Sequence, residues 1–246
     1  MFAECVANNS RINFSQNDAT LERQFIWNMI LQSHNLEQIV GTIEGFSVTK
    51  RSLLTLQDGR WLNDQVIDYY FKVLEHRSNV QRYCTIHTSS FMKNILDHNL
   101  KYKFQKISSR IKNDMFQKNK IILPIKIGNM HWATAVIYIR SKKIKIFDSK
   151  GANRLFYLKV LFKFVTDSWE KIHNGVSFLK KEDWELVDHT NDIPIQRNKH
   201  DCGVFCCMYA DYISNDREPN FSHEIIQQQR QFIKETIETI NYTNQK

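Results

Sequence analysis

Three residue types far apart in this chain could together run acyl transfer through a thiol: a cysteine, a histidine and an aspartate. Cys202 lies in Lys199-His200-Asp201-Cys202-Gly203-Val204-Phe205, where a polar loop turns into an apolar run. A cysteine at the first turn of a helix feels the positive end of the helix dipole, which favours its thiolate. Lys199 and His200 add positive charge nearby, and Gly203 lets a substrate backbone approach without a Cβ in the way. Cys206 and Cys207 fall inside the same helix and are assigned to packing. The group His200, Cys202, Cys206 and Cys207 has no Cys-x-x-Cys unit and lacks the second half of a tetrahedral site, so zinc is not expected.

His131 stands at the start of the β-branched run Trp132–Ile139, and Asp148 follows the alternating run Lys143–Phe147. With Arg140-Ser141-Lys142 as the turn, the two runs form an antiparallel hairpin, and His131 and Asp148 share one edge of it. A turn centred between Ser141 and Lys142 pairs Asp148 with Ala135, which is on the same face as His131. Four residues of strand is about 13 Å, too long for a hydrogen bond. A turn shifted toward Tyr138-Ile139, a bulge or a sharp bend must close that gap.

The chemistry accounts for the choice of types. A thiolate attacks a carbonyl, an imidazole takes and returns the proton, and a carboxylate fixes the imidazole tautomer and stabilises the imidazolium. The oxyanion needs donors: the backbone N–H of Cys202 is one, and the side chain of Gln196, six residues upstream, is a candidate for another.

Elements must hold these groups in place. Leu21, Phe25, Ile26, Met29 and Ile30 recur at helical spacing, which predicts a helix from about Asp18 to Ser33 within an N-terminal extension, 1–44. The catalytic domain is expected over 45–246. Asn63–Glu75 reads as a helix with Asn63 or Asp64 as cap and Val66, Tyr69, Tyr70 and Val73 as its apolar face. A second helix is expected over Ser89–Asn99 and a strand over Ile121–Ile127, with Pro124 where no ladder N–H is required, at an edge or a bulge. Leu155–Glu170 reads as an amphipathic helix, Trp184–Val187 as a short strand, Cys202–Ile213 as a buried helix and Phe221–Ile240 as a polar-faced helix. The sum is an α+β domain around a central sheet.

Composition bounds the context. The chain has 246 residues, enough for a substantial core, with 7 glycines and 3 prolines, too few for a linker-rich chain. Five cysteines, three of them within six residues, do not form a secreted disulfide framework. The first residues lack a basic segment followed by an apolar run, and no stretch approaches about 18 apolar residues, so neither a signal peptide nor a transmembrane helix is expected. A reducing compartment, nucleus or cytoplasm, fits best. The net charge of +8 is spread along the chain and reads as a solvated basic surface rather than a nucleic-acid site.

Four blocks together resemble the ubiquitin-like-protein protease family, also called sentrin-specific or SUMO proteases, over roughly Phe46 to Ile240. They are Trp61-Leu62-Asn63-Asp64, His131-Trp132, Phe147-Asp148-Ser149, and Asp192-Ile193-Pro194 through Gln196, Asn198 and Asp201-Cys202-Gly203-Val204-Phe205, in the family's order and spacing. The resemblance implies a papain-like cysteine protease fold with a central mixed sheet flanked by helices, and hydrolysis of the peptide or isopeptide bond after a Gly-Gly tail. It implies that Trp61 and Trp132 wall a narrow tunnel that admits glycines and rejects side chains, with Gly203 beside the tail. Asp64 would accept an arginine on the body of the ubiquitin-like protein. No metal or organic cofactor is required, and a monomer acting on SUMO and its conjugates is expected. The chain departs from the family pattern in carrying Lys199 after the loop asparagine, where Gly is common, and in lacking an aromatic-rich Thr85–Asn94. The competing readings are a protease for NEDD8, ubiquitin or another such protein, including effector-type enzymes of the same clan; more remotely an acetyltransferase with the same triad; and a non-catalytic binding module.

Overall fold

The computed structural model describes residues 35–77, 83–175, 180–187 and 192–243. The chain divides into two units, 1–38 and 39–246. Of the first, only residues 35–38 are described, a turn in which the Gln38 N–H donates to the Asn35 carbonyl at 3.3 Å. The helix expected over Asp18–Ser33 lies outside the described residues.

The second unit begins six residues before the boundary expected at 45, because a hairpin spans that point. Strand β1 (Ile39–Ile43) pairs antiparallel with β2 (Phe46–Thr49). The two turn residues, Glu44 and Gly45, both have positive φ, 44° and 81°, the handedness that two-residue hairpins require. Helix α1 (Lys50–Leu53) follows directly. Helix α2 (Asp64–His76) is capped by Asn63, whose Oδ1 accepts from the Val66 N–H at 3.2 Å. Val66, Tyr69, Tyr70 and Val73 face the core as expected.

A five-stranded mixed sheet forms the centre, in the order β3-β4-β5-β6-β7. Its strands are β3 (Cys84–Ile86), β4 (Lys120–Ile127), β5 (His131–Tyr138), β6 (Lys143–Phe147) and β7 (Glu185–Val187). The outer pairings are parallel and the inner two antiparallel. Pro124 sits inside β4, but β3 pairs only with Lys120–Ile122. The Ile122 carbonyl accepts from the His87 N–H on that flank, so two residues on, the missing N–H of Pro124 faces the same flank beyond the end of β3.

Helix α3 (Ser90–Ile95) stops four residues short of its expected end, because Leu96 leaves the helix to bridge to Tyr102. It is followed by α4 (Gln105–Ser108) and, after the hairpin β5-β6, by α5 (Leu155–Ile172). Ala133, Ala135 and Ile137 of β5 share one core cluster with Phe91, Leu161 and Phe164 of α3 and α5. On the other face lies α6 (Cys202–Ser214), apolar on nearly all sides and buried accordingly. The Thr134 hydroxyl of β5 donates to the Cys206 carbonyl at 2.8 Å. Helix α7 (Ile226–Thr243) packs on α6 and on β1. Among the described residues no helix is long and apolar enough to cross a membrane.

Candidate active site

The register of the β5-β6 hairpin solves the distance problem posed by the sequence. Tyr138 pairs with Lys143 and Thr134 with Phe147. The turn is therefore centred between Arg140 and Ser141, one residue earlier than a turn between Ser141 and Lys142. Lys142, at φ 51°, absorbs the left-handed step, and its N–H donates to the Ile139 carbonyl. Continued past its last pair, this register sets Asp148 opposite Ala133 instead of Ala135, about two residues from His131. That span, about 7 Å between backbones, is within reach of the two side chains. His131 Nε2 meets Asp148 Oδ1 at 2.7 Å.

Asp148 is 1 % exposed and fully engaged. Besides His131, its Oδ1 accepts from the Lys150 N–H at 2.8 Å, and its Oδ2 accepts from Arg154 Nε at 2.6 Å. Burial acts to raise its pKa, but the His131 and Lys150 bonds, the imidazolium and the Arg154 bond outweigh it and hold the carboxyl below the ordinary range. Arg154 was not anticipated: it sits in the loop before α5, and nothing in its spacing ties it to Asp148. For His131, burial works against the cation, but the Asp148 bond, the nearby Cys202 thiol and the charges of both raise it above the ordinary imidazole value.

Because Nε2 serves the carboxylate, the neutral ring carries its proton there and leaves Nδ1 open. Nδ1 is buried and makes no hydrogen bond. The Cys202 thiol adjoins it and points its own proton at the Met130 carbonyl, 3.6 Å away. Rotation about Cβ–Sγ turns that proton toward Nδ1. The tight β4-β5 connection, Gly128 to Met130, thus delivers both the acceptor carbonyl and His131.

Cys202 is the first residue of α6, and the N-cap Asp201 makes no side-chain cap bond. The first N–H groups of this helix therefore have no intrahelical or side-chain cap acceptor. Gln196 is held beside Asp148: its N–H donates to the Ser149 carbonyl at 3.0 Å, and its Oε1 accepts from the Ser149 hydroxyl at 2.6 Å. That bond fixes which way the carboxamide faces. Nε2 donates one proton to the Asn198 carbonyl at 2.6 Å and keeps a second. The Tyr209 hydroxyl donates to the Pro194 carbonyl, tying this loop to α6.

The anticipated wall residues converge on the same place. Trp61 Nε1 donates to the Lys199 carbonyl at 2.7 Å, and Trp132 Nε1 donates to the Leu62 carbonyl at 3.0 Å. A Cβ on Gly203 would stand 2.8 Å from Leu62 Cβ, so only glycine lets this segment lie on the first turn of α6. Trp61 is 43 % exposed, whereas Trp132 is 2 % and Cys202 0 %. The thiol is thus fully covered, while Trp61 and Met130, the residue before His131, are exposed. Asp64 takes no part in capping, which Asn63 performs; it faces outward, 3.5 Å from Lys93 Nζ. Cys206 and Cys207 are buried, and burial first of all pushes both thiols far up, so they stay protonated within the core.

Comparison with known proteins adds an independent line. Sentrin-specific protease 2 of Mus musculus is 30 % identical over 189 residues, covering 76 % of this chain and 31 % of that protein. Ubiquitin-like-specific protease 1 of Saccharomyces cerevisiae is 29 % identical over 198 residues, covering 80 % of this chain and 30 % of that protein. The chain spans about a third of the length of these curated relatives. The X-ray structure of the C-terminal Ulp1 protease domain in complex with Smt3, the yeast ortholog of SUMO, superposes with a TM-score of 0.71 at 25 % identity, covering 89 % of this chain and 95 % of that one. Residues 60–244 match the family described as the Ulp1 protease family, C-terminal catalytic domain. That span contains all four sequence blocks and the His131–Asp148–Cys202 cluster, and the chain belongs to the Ulp1 protease family.

Proposed function

We propose that this chain is a cysteine protease that hydrolyses the peptide or isopeptide bond after the C-terminal Gly-Gly of SUMO. The observation that carries this reading is the His131–Asp148 bond of 2.7 Å, with the open Nδ1 of the same ring beside the thiol at the start of α6. The Ulp1-family match supports it, as does the likeness to a domain whose solved partner is a SUMO ortholog.

In this mechanism Nδ1 of His131 takes the Cys202 proton, and Asp148 stabilises the resulting imidazolium through Nε2–H. The thiolate attacks the carbonyl of the second glycine. The Cys202 N–H and the spare Nε2–H of Gln196 face the oxyanion. The imidazolium then protonates the leaving amine, leaving a thioester, which water hydrolyses with His131 again as base. Trp61, Trp132 and Gly203 line the path of the tail, and Asp64 offers its carboxylate to a cation on the body of the ubiquitin-like protein. The enzyme works in a reducing compartment, nucleus or cytosol, where a free thiol persists.

The test is labelling by SUMO carrying a C-terminal vinyl sulfone, alongside a panel of SUMO, NEDD8 and ubiquitin tail reporters. Labelling should map to Cys202 and vanish in Cys202→Ser. Labelling that survives in the serine variant rejects the nucleophile. Faster turnover of the NEDD8 or ubiquitin reporter rejects SUMO as substrate, and binding without turnover of any reporter rejects the enzyme.

A further inference from the structure

Trp61 is 43 % exposed, so burial holds little of its ring. What fixes the indole is the bond from Nε1 to the Lys199 carbonyl at 2.7 Å. That bond joins two stretches of backbone, 57–63 and 192–201, neither of which is helix or strand. An indole bonded across two loops is only as well placed as the loops themselves.

Both loops are tied to one side chain of α7. Arg230 belongs to a helix whose sequence reads as polar-faced, yet its side chain is 2 % exposed. Nη1 donates to the carbonyls of Thr55 and Gln57, both at 3.2 Å, and Nη2 to that of Arg60 at 2.9 Å. Nε and Nη2 donate to Asp201 Oδ1 at 3.2 and 2.6 Å. Arg60 immediately precedes Trp61, and Asp201 lies two residues past Lys199, so one guanidinium clamps both backbones that the indole bridges. One turn earlier on the same face of α7, Gln227 Nε2 donates to Asp58 Oδ1 at 2.5 Å. On the other loop, Asp201 Oδ2 accepts from Asn198 Nδ2 at 2.6 Å, and Asn198 Oδ1 accepts from the N–H groups of His200 and Asp201. The hold on Asp201 therefore extends through the turn that carries the Lys199 carbonyl.

We propose that Arg230 is a positioning residue for substrate binding: it fixes the two loops between which Trp61 is held, and so sets where the indole meets the tail. The proposal rests on Trp61 lining the path of the tail. A planar guanidinium, with five donors in a fixed fork, reaches the three carbonyls and Asp201 Oδ1 together. The ammonium of a lysine keeps the charge but offers three donors from one point and cannot serve all four acceptors. A wall contacts the tail in the ground state and the transition state alike, so a misplaced wall weakens uniform binding and shows in KM rather than kcat.

The experiment is steady-state turnover of a SUMO-tail reporter by the full chain, with KM and kcat separated, in the wild type, Arg230→Lys, Trp61→Ala and the double variant. Arg230→Lys should raise KM by about tenfold, within the range that a misplacement of about 1 Å produces. It should change kcat by less than about threefold. Trp61→Ala removes the side chain through which Arg230 acts, so adding Arg230→Lys to it should raise KM by less than about twofold more. A role in packing alone would lower the melting temperature or the active fraction and leave KM in place, or would add its full effect on top of Trp61→Ala; either result overturns the proposal. If Arg230→Lys fails to fold, Asp201→Asn, which weakens the loop end of the same clamp, decides alone, and a wild-type KM in that variant overturns it. If the wild type turns over a NEDD8 or ubiquitin reporter in place of SUMO, the same comparison is made on that tail, so SUMO is rejected as substrate while this test stands. A wild-type chain that turns over no tail reporter overturns both.

Discussion

Arg154→Gln tests how the charge of Asp148 is shared. In the structure one carboxylate serves two cations: Arg154 Nε at 2.6 Å on Oδ2, and the imidazole of His131 at 2.7 Å on Oδ1. The guanidinium and the imidazolium then face each other across the carboxylate and repel; bonds of these lengths on its two oxygens imply a separation on the order of 6 Å. With an effective dielectric of about 20, that repulsion is at most about 2.8 kcal/mol, or about two pH units. Arg154 retains 19 % of its side-chain exposure, and water screens part of the interaction, so the expected shift is about one unit. Its sign is fixed. Removing the guanidinium stabilises the imidazolium, and His131, already above the ordinary value, rises further. Asp148 loses one of the groups that hold its pKa down, but the His131 and Lys150 bonds remain, and it stays ionised at neutral pH. The alkaline limb of kcat/KM on a SUMO-tail reporter, a macroscopic property of the Cys–His pair, should move up by about one unit. The His131 ring titration followed by NMR should move with it. An alkaline limb that stays in place or moves down refutes the shared-carboxylate reasoning.

Two further outcomes follow from the packing. Gly203→Ala places a Cβ 2.8 Å from Leu62 Cβ and 3.1 Å from Leu62 Cγ; the clash should cost about 1–3 kcal/mol and displace the Leu62 carbonyl that holds Trp132. Thermal unfolding and reporter turnover measure this, and wild-type values in both would show that the approach is not tight. His87 stacks on Phe91 with ring centroids 4.6 Å apart, and burial first, then Lys72 and Lys112, lower its pKa to about 4. For a histidine depressed in this way the unfolded chain binds the proton first. Its contribution is intact above about 6.5 and is lost as pH falls toward 4. Between pH 7 and pH 5 that loss is about 2 kcal/mol. Urea midpoints at the two pH values should therefore differ less in His87→Gln than in the wild type, and equal differences would remove His87 from the account.

The candidate site was legible in the sequence where chemistry and element boundaries coincide. Cys202 at a loop-to-helix switch, and His131 and Asp148 at the two ends of a hairpin, announce themselves by type and place. The register was not legible, because it depends on Lys142 taking a left-handed conformation that lysine does not signal. Arg154 and Arg230 were hidden for a related reason. Each acts through a contact made by tertiary packing, and a lone arginine in a loop or on a polar helix reads as solvated until its partners are in place. The β1-β2 hairpin was missed because five- and four-residue strands beside an unassigned extension give too short a period-two signal. Its clearest mark, the Glu44-Gly45 turn, fell on the supposed domain boundary.

The closing contact of the second unit has a temporal consequence. β1 and α7 are the first and last of its described elements, and Gly41 lies against Ile237 so closely that a Cβ there would stand 2.8 Å from the Ile237 side chain. During synthesis the earlier elements leave the ribosome first. Until Ile226–Thr243 follows, the carbonyls of Thr55, Gln57 and Arg60 wait for their donor and Asp201 for its cation. A growing chain therefore carries His131, Asp148 and Cys202 before the helix that completes their surroundings, and the loop ahead of Cys202 takes its final set only when Arg230 arrives.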